Sequence, residues 1–500
     1  MLVSNSCDPD FRVIKQAESL VRFGHRVRIF CKAKTGIANF ETINGVEYQR
    51  LELAPAKAAS ARPVVIVPNT GQAPASAPPA AAAPCNPVVE SPAILPFRLV
   101  RHAAKRAWQL YKLAHSAGRR LTKAGLAMVR KCRSSALSLA KCGSSRLHTS
   151  LRNFTKFNAM ARSYVPAVVA WRPDIVHAHD LVCLPAGRQA ARLAKARLIY
   201  DSHELETHRN PPLPPMRKRF YRFIEGRNIR RADAVITVCR PIAAHLQNAY
   251  RIRRPHVIFN APDVSARLLG HAPGMGRQGW RASAEPMRDI RAMAGVPGHG
   301  KLGIYVGLVT INRGIETMID ALAGLSNVWF VAVGPSNEKY NQTLLNRAKA
   351  LGVAERFRIL PPVHPDRVVD FIASADFGVN PLNPITLSYA YAMPNKLFEM
   401  SFAGLAIVNS DAQESARFVT RHGLGVIFRH NEPVDLARAV KELTLNIGQY
   451  RPNATRLRQI QDTYGWHRQE ETLARLYAPL LPKVKSSPQE APGLLQPALA

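Results

Sequence analysis

Acidic residues are scarce in this chain. Its 500 residues hold 34 Asp and Glu against 69 Lys and Arg, a formal charge of +35. Between Glu90 and Asp174 there is no acid at all, while seventeen Lys and Arg fall in the gap. Such an imbalance points to an anionic partner: a membrane surface, nucleic acid or a phosphorylated substrate. No recognised nucleic-acid module accompanies the charge, so nucleic acid is not expected. Long apolar runs are missing too, and none approaches the roughly 18 residues of a membrane-spanning helix. Met1-Leu-Val-Ser-Asn5 has neither a basic nor an apolar leader region, so no signal peptide is expected. The cysteines are few and scattered, seven in all and never in a C-x-x-C. A disulfide framework or zinc cluster is not expected, and a reducing cytosol is the natural setting.

What is present is a globular composition, 47% apolar, on a chain too long for one core. Cores stop growing at roughly 250–300 residues, so two domains are the default. The opening reads strand, helix, strand: Leu2–Asn5, then apolar residues at helical spacing from Asp8 to Phe23, then Val27–Cys31. Residues 54–97 collapse to Ala, Pro, Val and Ser and read as an extended linker. Residues 98–170 follow as a basic helical insert, with Val100, Ala104, Trp108 and Tyr111 on one face. From Trp171 the α/β rhythm returns, with strands at 174–179, 198–202 and 234–238. Residues 264–297 look like an interdomain connection. A second series starts at Leu302, with strands ending at Gly307, Val333, Leu360, Asn380 and, as the last, Ala406–Val408. Helices are expected at 434–446 and 454–480, and the tail 483–500 reads as disordered.

The expected fold is α/β: two doubly wound Rossmann-like domains, residues 1–270 and 298–455, facing a cleft at the carboxyl ends of their strands.

Four local signals carry chemistry. The loop Asn5–Val13 opens a helix, whose free N–H groups suit an anion, with Arg12 adding charge. The alternative is a capping turn, with Asp8 or Asp10 as N-cap and Arg12 solvated. In Val176-His-Ala-His-Asp180, His177 and His179 are expected on opposite faces, one in the sheet interior and one in the cleft. An imidazole at a strand's carboxyl end serves as a hydrogen-bond donor or base better than as a metal ligand here. Tyr200-Asp-Ser-His-Glu204 clusters Asp201, His203 and Glu204 at the next strand end. In the second half, Gly307–Gly314 is a strand–loop–helix entry whose amides and Arg313 suit a diphosphate. Pro394-Asn-Lys-Leu-Phe-Glu399 opens a helix with Lys396 and Glu399 three apart on one face, the latter suited to ribose hydroxyls. A surface ion pair is the alternative there.

These segments, in order, resemble the family 4 glycosyltransferases of GT-B architecture. The resemblance rests on "SNSCDPDFRVIKQAESLVRFGHRV", "PDIVHAHDL", "LIYDSHELE", "RADAVITV", "VIFNAPD", "YVGLVTINRGIETMIDAL", "VAVGP", "ADFGVNPL" and "PNKLFEMSFAGLAIVNSD". It covers about residues 1–53 and 171–480. It implies transfer of a sugar from a nucleotide-diphosphate sugar to a glycan or lipid-linked acceptor, with retention at the anomeric carbon and no metal or resident cofactor. It further implies that residues 456–480 cross back to the first domain. Surface-polysaccharide assembly on the cytoplasmic side is the expected role, and the basic amphipathic pattern of residues 98–170, with Trp108 and Tyr111, reads as docking on an anionic membrane, a solvated surface helix being the alternative. By resemblance Gly307, Asn312, Arg313, Leu360, Lys396 and Glu399 would hold the donor. Asp10, Arg12, His179, His203 and Glu204 would line the acceptor side, and His179, Arg313 and Glu399 would serve catalysis. Two positions depart from the pattern. Tyr391 stands where many members carry a first glutamate, and Leu308 where an arginine is expected, leaving Lys396 to supply the second cation. A catalytically degenerate binding scaffold and a nucleotide-sugar epimerase are the alternative functions.

Overall fold

The computed structural model describes residues 1–53, 156–264 and 289–481. The linker at 54–97, the basic stretch 98–155 with Trp108 and Tyr111, residues 265–288 and the tail from 482 lie outside the described residues, as do Cys85, Cys132 and Cys142. All described residues belong to one unit.

The first sheet grows around the chain's own start. Strands β1 (Val27–Lys32), β2 (Phe40–Ile43) and β3 (Val46–Leu51) lie in the order β1-β3-β2. Strands β4 (Ile175–His179), β5 (Arg197–Ser202), β6 (Ala234–Thr237) and β7 (His256–Val257) form a parallel set in that order. Leu2 joins the two sets. It bridges Phe30 on one side and Ala178 on the other, and its amide donates to the His177 carbonyl at 2.8 Å. The β2–β3 hairpin, unanticipated from the sequence, turns at Asn44-Gly45, both at positive φ as a tight two-residue turn requires.

In the second half, β8 (Lys301–Val306), β9 (Val328–Val333), β10 (Phe357–Leu360), β11 (Phe377–Asn380), β12 (Ala406–Ser410) and β13 (Gly425–Phe428) form a six-stranded parallel sheet. The order is β10-β9-β8-β11-β12-β13, so the winding reverses between β8 and β11. Ligands bind at the strand ends beside such a reversal.

Three expectations need correction. Ala406–Val408 is not the last strand: Gly425–Phe428 pairs outside it, a four-residue edge strand too short for its pattern to register. The helix expected over 454–480 is two helices, Ala454–Tyr464 and Trp466–Tyr477, broken at Gly465. The basic insert does not extend to residue 170. Residues 156–171 are a core helix, burying Phe157, Met160, Tyr164, Val165 and Val168 at 3.6-residue spacing, and the Tyr164 hydroxyl donates to the Val3 carbonyl.

The break at Gly465 has a packing consequence. Before it, Gln461 donates to the Phe402 carbonyl and Tyr464 packs on Phe398, both in the second lobe. After it, Trp466 is fully buried with Val13, Ile14 and Ala17, and its indole N–H donates to Ser19 at 2.9 Å.

Candidate functional site

The first lobe brings its polar residues to the ends of β4 and β5. Residues two apart on a strand share a face, so the expectation that His177 and His179 diverge is wrong. Their rings stack at 4.3 Å with 19° between planes, and both are buried. Their positions on parallel neighbours put His179 beside Asp201. Burial holds both imidazoles below the ordinary histidine pKa, so both are neutral. The Tyr477 hydroxyl, on the last helix, meets His177 Nδ1 at 2.8 Å.

Asp201 is the hub of this cluster. Burial alone would raise its pKa, but the Arg12 guanidinium, then His203 and His179, hold it well below the usual carboxylate range. Gln16 also donates to it at 2.8 Å. Arg12 is therefore neither solvated nor free for an anion: it is buried, pairs with Asp201 and donates to the Ile258 carbonyl. The helix N-terminus is also occupied by charge, because Asp10 caps it and accepts from Val13 and Asn5.

His203 is the positively charged imidazole of the group. Its nitrogens stand 3.4 Å from Asp180 and 3.6 Å from Asp201. Burial opposes protonation, yet the two carboxylates push its pKa up to about 9. Its Nε2 also stands 3.2 Å from His179 Nδ1, which itself lies 3.6 Å from Asp201. His179 Nε2 is buried and has no hydrogen-bond partner among the described residues. His177, His179 and Asp201 also place donor atoms within 4.8 Å of one another, a spacing a metal would accept. The Arg12 cation already holds that carboxylate, which disfavours a second cation there.

The second lobe supplies cations. Gly307, at φ 120°, follows β8, and a Cβ on Gly334 would lie 2.1 Å from its carbonyl oxygen. This close approach starts the loop that carries Asn312 and Arg313. Arg313 lies 5.0 Å over the Tyr389 ring, and its Nε is buried without a partner. Lys396 is buried with Nζ 3.6 Å from the Tyr305 ring centre, and a Cβ on Gly307 would lie 3.6 Å from that nitrogen. Desolvation, then Arg313, pull the Lys396 pKa well below its ordinary value. The surface ion pair with Glu399 is absent, because Lys396 points inward. Glu399 is instead raised to about 7 by burial, moderated by Lys396 and Lys15. It lines a pocket of about 170 Å³ between the lobes, with Phe11, Lys15 and Asn260 on one wall and Pro365 and Asp366 on the other.

The lobes touch along the loop after His203. The Leu205 amide donates to Ser388, Asn210 donates to the Tyr389 hydroxyl, and Asn312 donates to Asn210. Glu204, raised by burial, is within electrostatic reach of Arg313 and His203. Tyr391 is half-buried at the core margin, its carbonyl accepting from Cys239. Leu360 ends β10 half-buried, and its carbonyl accepts from Gly334.

The structure thus gathers Arg12, His179 and His203 around Asp201, with Asp10 within electrostatic reach of His179, and Gly307, Arg313 and Lys396 around Tyr305. Glu204 faces the second group from the first lobe, and Glu399 lies in the neighbouring pocket. Sequence reasoning missed Lys15, Gln16, Tyr305, Ser388 and Tyr389. The helical spacing of Arg12, Lys15 and Gln16 was the one available signal.

Two doubly wound lobes with polar strand ends and unpaired cations at their seam define a glycosyl-transferring enzyme of GT-B architecture. The chain belongs to the family 4 type: the Glycosyl transferase 4-like domain model matches residues 12–262, and the Glycosyl transferases group 1 model matches residues 300–446. D-inositol 3-phosphate glycosyltransferase of Nocardiopsis dassonvillei is 24% identical over 322 residues, 61% of this chain and 70% of the relative. The Mycolicibacterium smegmatis protein of that name is 25% identical over 292 residues, 54% and 62% of the two chains. Among solved structures, sucrose-phosphate synthase from Thermosynechococcus elongatus superposes with a TM-score of 0.63 at 13% identity, covering 96% of this chain and 95% of that one. Anabaena HepE in complex with UDP-glucose gives 0.50 at 18% identity, covering 63% and 82%. No helix among the described residues is long and apolar enough to cross a membrane.

Proposed function

We propose that the enzyme takes its sugar from a nucleoside-diphosphate sugar and passes it to a glycan or lipid-linked acceptor with retention, in surface-polysaccharide assembly at the cytoplasmic face of an anionic membrane. The observation that carries the donor class is the pair Arg313 and Lys396. Among the described residues neither has a carboxylate at ion-pair distance, and both stand at the Gly307 turn. Two close cations without an ion-paired carboxylate are costly until a dianion arrives. The UDP-glucose bound by Anabaena HepE supports the same class.

In this reading the bond from the anomeric carbon to the β-phosphate oxygen breaks, and its electron pair stays on that oxygen. Arg313 and Lys396 stabilise the growing charge without a metal. The acceptor hydroxyl adds to the anomeric carbon from the same face, and its proton goes to the departing phosphate. Glu399 holds the ribose hydroxyls, the loop after Leu360 flanks the base, and His179 Nε2 donates to the reacting sugar. Contact between the lobes at Leu205–Ser388 and Asn210–Tyr389 limits water at the sugar.

Thermal stabilisation by a panel of nucleotide sugars tests the reading, since a ligand of the native state raises its melting point. The expected result is stabilisation by one donor, lost in Arg313→Ala. Arg313→Ala and Glu399→Ala should each lower turnover at least tenfold with the fold intact. Near-wild-type turnover in both would remove the donor assignment. Binding without turnover for every acceptor would favour a scaffold, the reading that Tyr391 supports.

A further inference from the structure

The helix Pro215–Ile229 has a finished inner face and an unfinished outer one. Inside, Tyr221, Gly226, Asn228 and Ile229 are buried, and a Cβ on Gly226 would already lie 3.1 Å from Tyr250. Its one acid, Glu225, is buried and accepts from the Tyr200 and Tyr250 hydroxyls at 2.8 and 2.7 Å. No negative charge on this helix faces outward. Outside, Met216 and Phe223 are 61% and 62% exposed. They stand seven residues apart, two turns along one face. Arg219 lies between them, Arg227 continues the same stripe, and Arg222 flanks it, all three exposed.

We propose that this outward face is a docking surface for an anionic phospholipid bilayer. Large apolar side chains alternating with arginines on one helical face suit the headgroup region. The ring and thioether enter the acyl boundary while guanidinium groups stay with phosphate. A protein partner of matching acidity would need a complementary pocket for two separated apolar groups, which a bilayer does not.

The surface lies beside the cleft. Asn210, at the seam between the lobes, precedes Pro215 by five residues, a reach of at most about 17 Å. An enzyme resting on this face would present its seam to an acceptor whose lipid stays in the membrane. This placement rests on the lipid-linked acceptor proposed above.

Flotation of the full chain with phosphatidylcholine vesicles, with and without about one-third phosphatidylglycerol, tests the surface without needing turnover. The wild type should float only with the anionic vesicles. Arg219→Glu combined with Arg222→Glu and Arg227→Glu should reduce the bound fraction at least tenfold. Met216→Ser with Phe223→Ser should reduce it at least threefold, and melting points should stay unchanged in both. Equal recovery of the wild type with neutral vesicles would overturn the proposal. So would wild-type flotation of the charge-reversed variant, which would move membrane binding elsewhere in the chain. Single-stranded RNA displacing the enzyme from anionic vesicles through these arginines would also overturn it, in favour of a nucleic-acid partner. Donor-induced stabilisation, measured without vesicles, separates failure here from failure of the transferase reading.

Discussion

The Arg12 guanidinium meets the Asp201 carboxylate in a two-pronged ion pair, Nε to one oxygen at 3.0 Å and Nη2 to the other at 2.9 Å, with 4% and 0% of the side chains exposed. The pair ties the first helix to the end of β5. Breaking a buried pair from one side leaves an uncompensated charge, at a cost of about 3–5 kcal/mol. Arg12→Ala should therefore lose stability on that scale in urea unfolding. Arg12→Met combined with Asp201→Asn should recover much of it. A loss below 1 kcal/mol in the single variant would contradict the geometry.

Two neighbouring groups set opposite pH limits. Asp201 titrates lower in the folded than in the unfolded chain, so its contribution is complete above the ordinary carboxylate pKa. It is lost as pH falls through the depressed value. His203 rises from 6.5 to about 9, so its contribution is complete below 6.5 and is lost as pH climbs through about 9. A shift of that size corresponds to a stability loss on the order of 3 kcal/mol across that interval. Denaturation curves of wild type and His203→Gln between pH 6 and 9.5 should converge as pH rises; parallel curves would exclude the charged imidazole.

Lys396 is a stability liability in the empty site. Its ammonium is desolvated and repelled by Arg313, so the unfolded chain holds the proton more tightly. Lys396→Met should raise stability by about 1–2 kcal/mol while lowering turnover at least a hundredfold. Nucleoside-diphosphate binding should raise the proton affinity of the wild-type lysine, with uptake at any pH where the free lysine is partly deprotonated. Titration calorimetry in buffers of different ionisation heat reads that uptake directly, and identical heats in all buffers would exclude it.

Gly314 sets the entry to the helix behind Arg313. It has φ 77°, and a Cβ there would lie 1.9 Å from the Pro381 carbonyl oxygen. Gly314→Ala should cost about 2–4 kcal/mol, and the displaced loop should raise the donor KM more than it lowers kcat. An unchanged KM with reduced stability would separate this loop from donor binding.

Much of the fold was legible because its signals are local. Val328–Val333, Phe357–Leu360 and Phe377–Asn380 are short apolar runs bounded by turn residues, and they occur as read. The hairpin at 40–51 escaped because its first strand is largely exposed and carries little apolar pattern. The extent of the basic insert was misjudged for a different reason. Lys156 and Arg162 carry charge on a helix whose other face is core, so counting charge obscured the apolar spacing at Phe157, Met160 and Tyr164. His177 and His179 were legible as a pair, but their shared face followed from the pleat and not from the residue types.

The order of residues by itself determined the two α/β halves, the loops at their strand ends and the family, since each depends on neighbours a few positions apart. Tertiary structure alone decided the state of each charged group. Arg12 found Asp201 across 189 positions, Lys396 turned inward onto Tyr305, and Glu204 came to face Arg313 from the other lobe. A side chain's charge and freedom are set by its solvent and its counterions, and those are chosen only when distant strands come together.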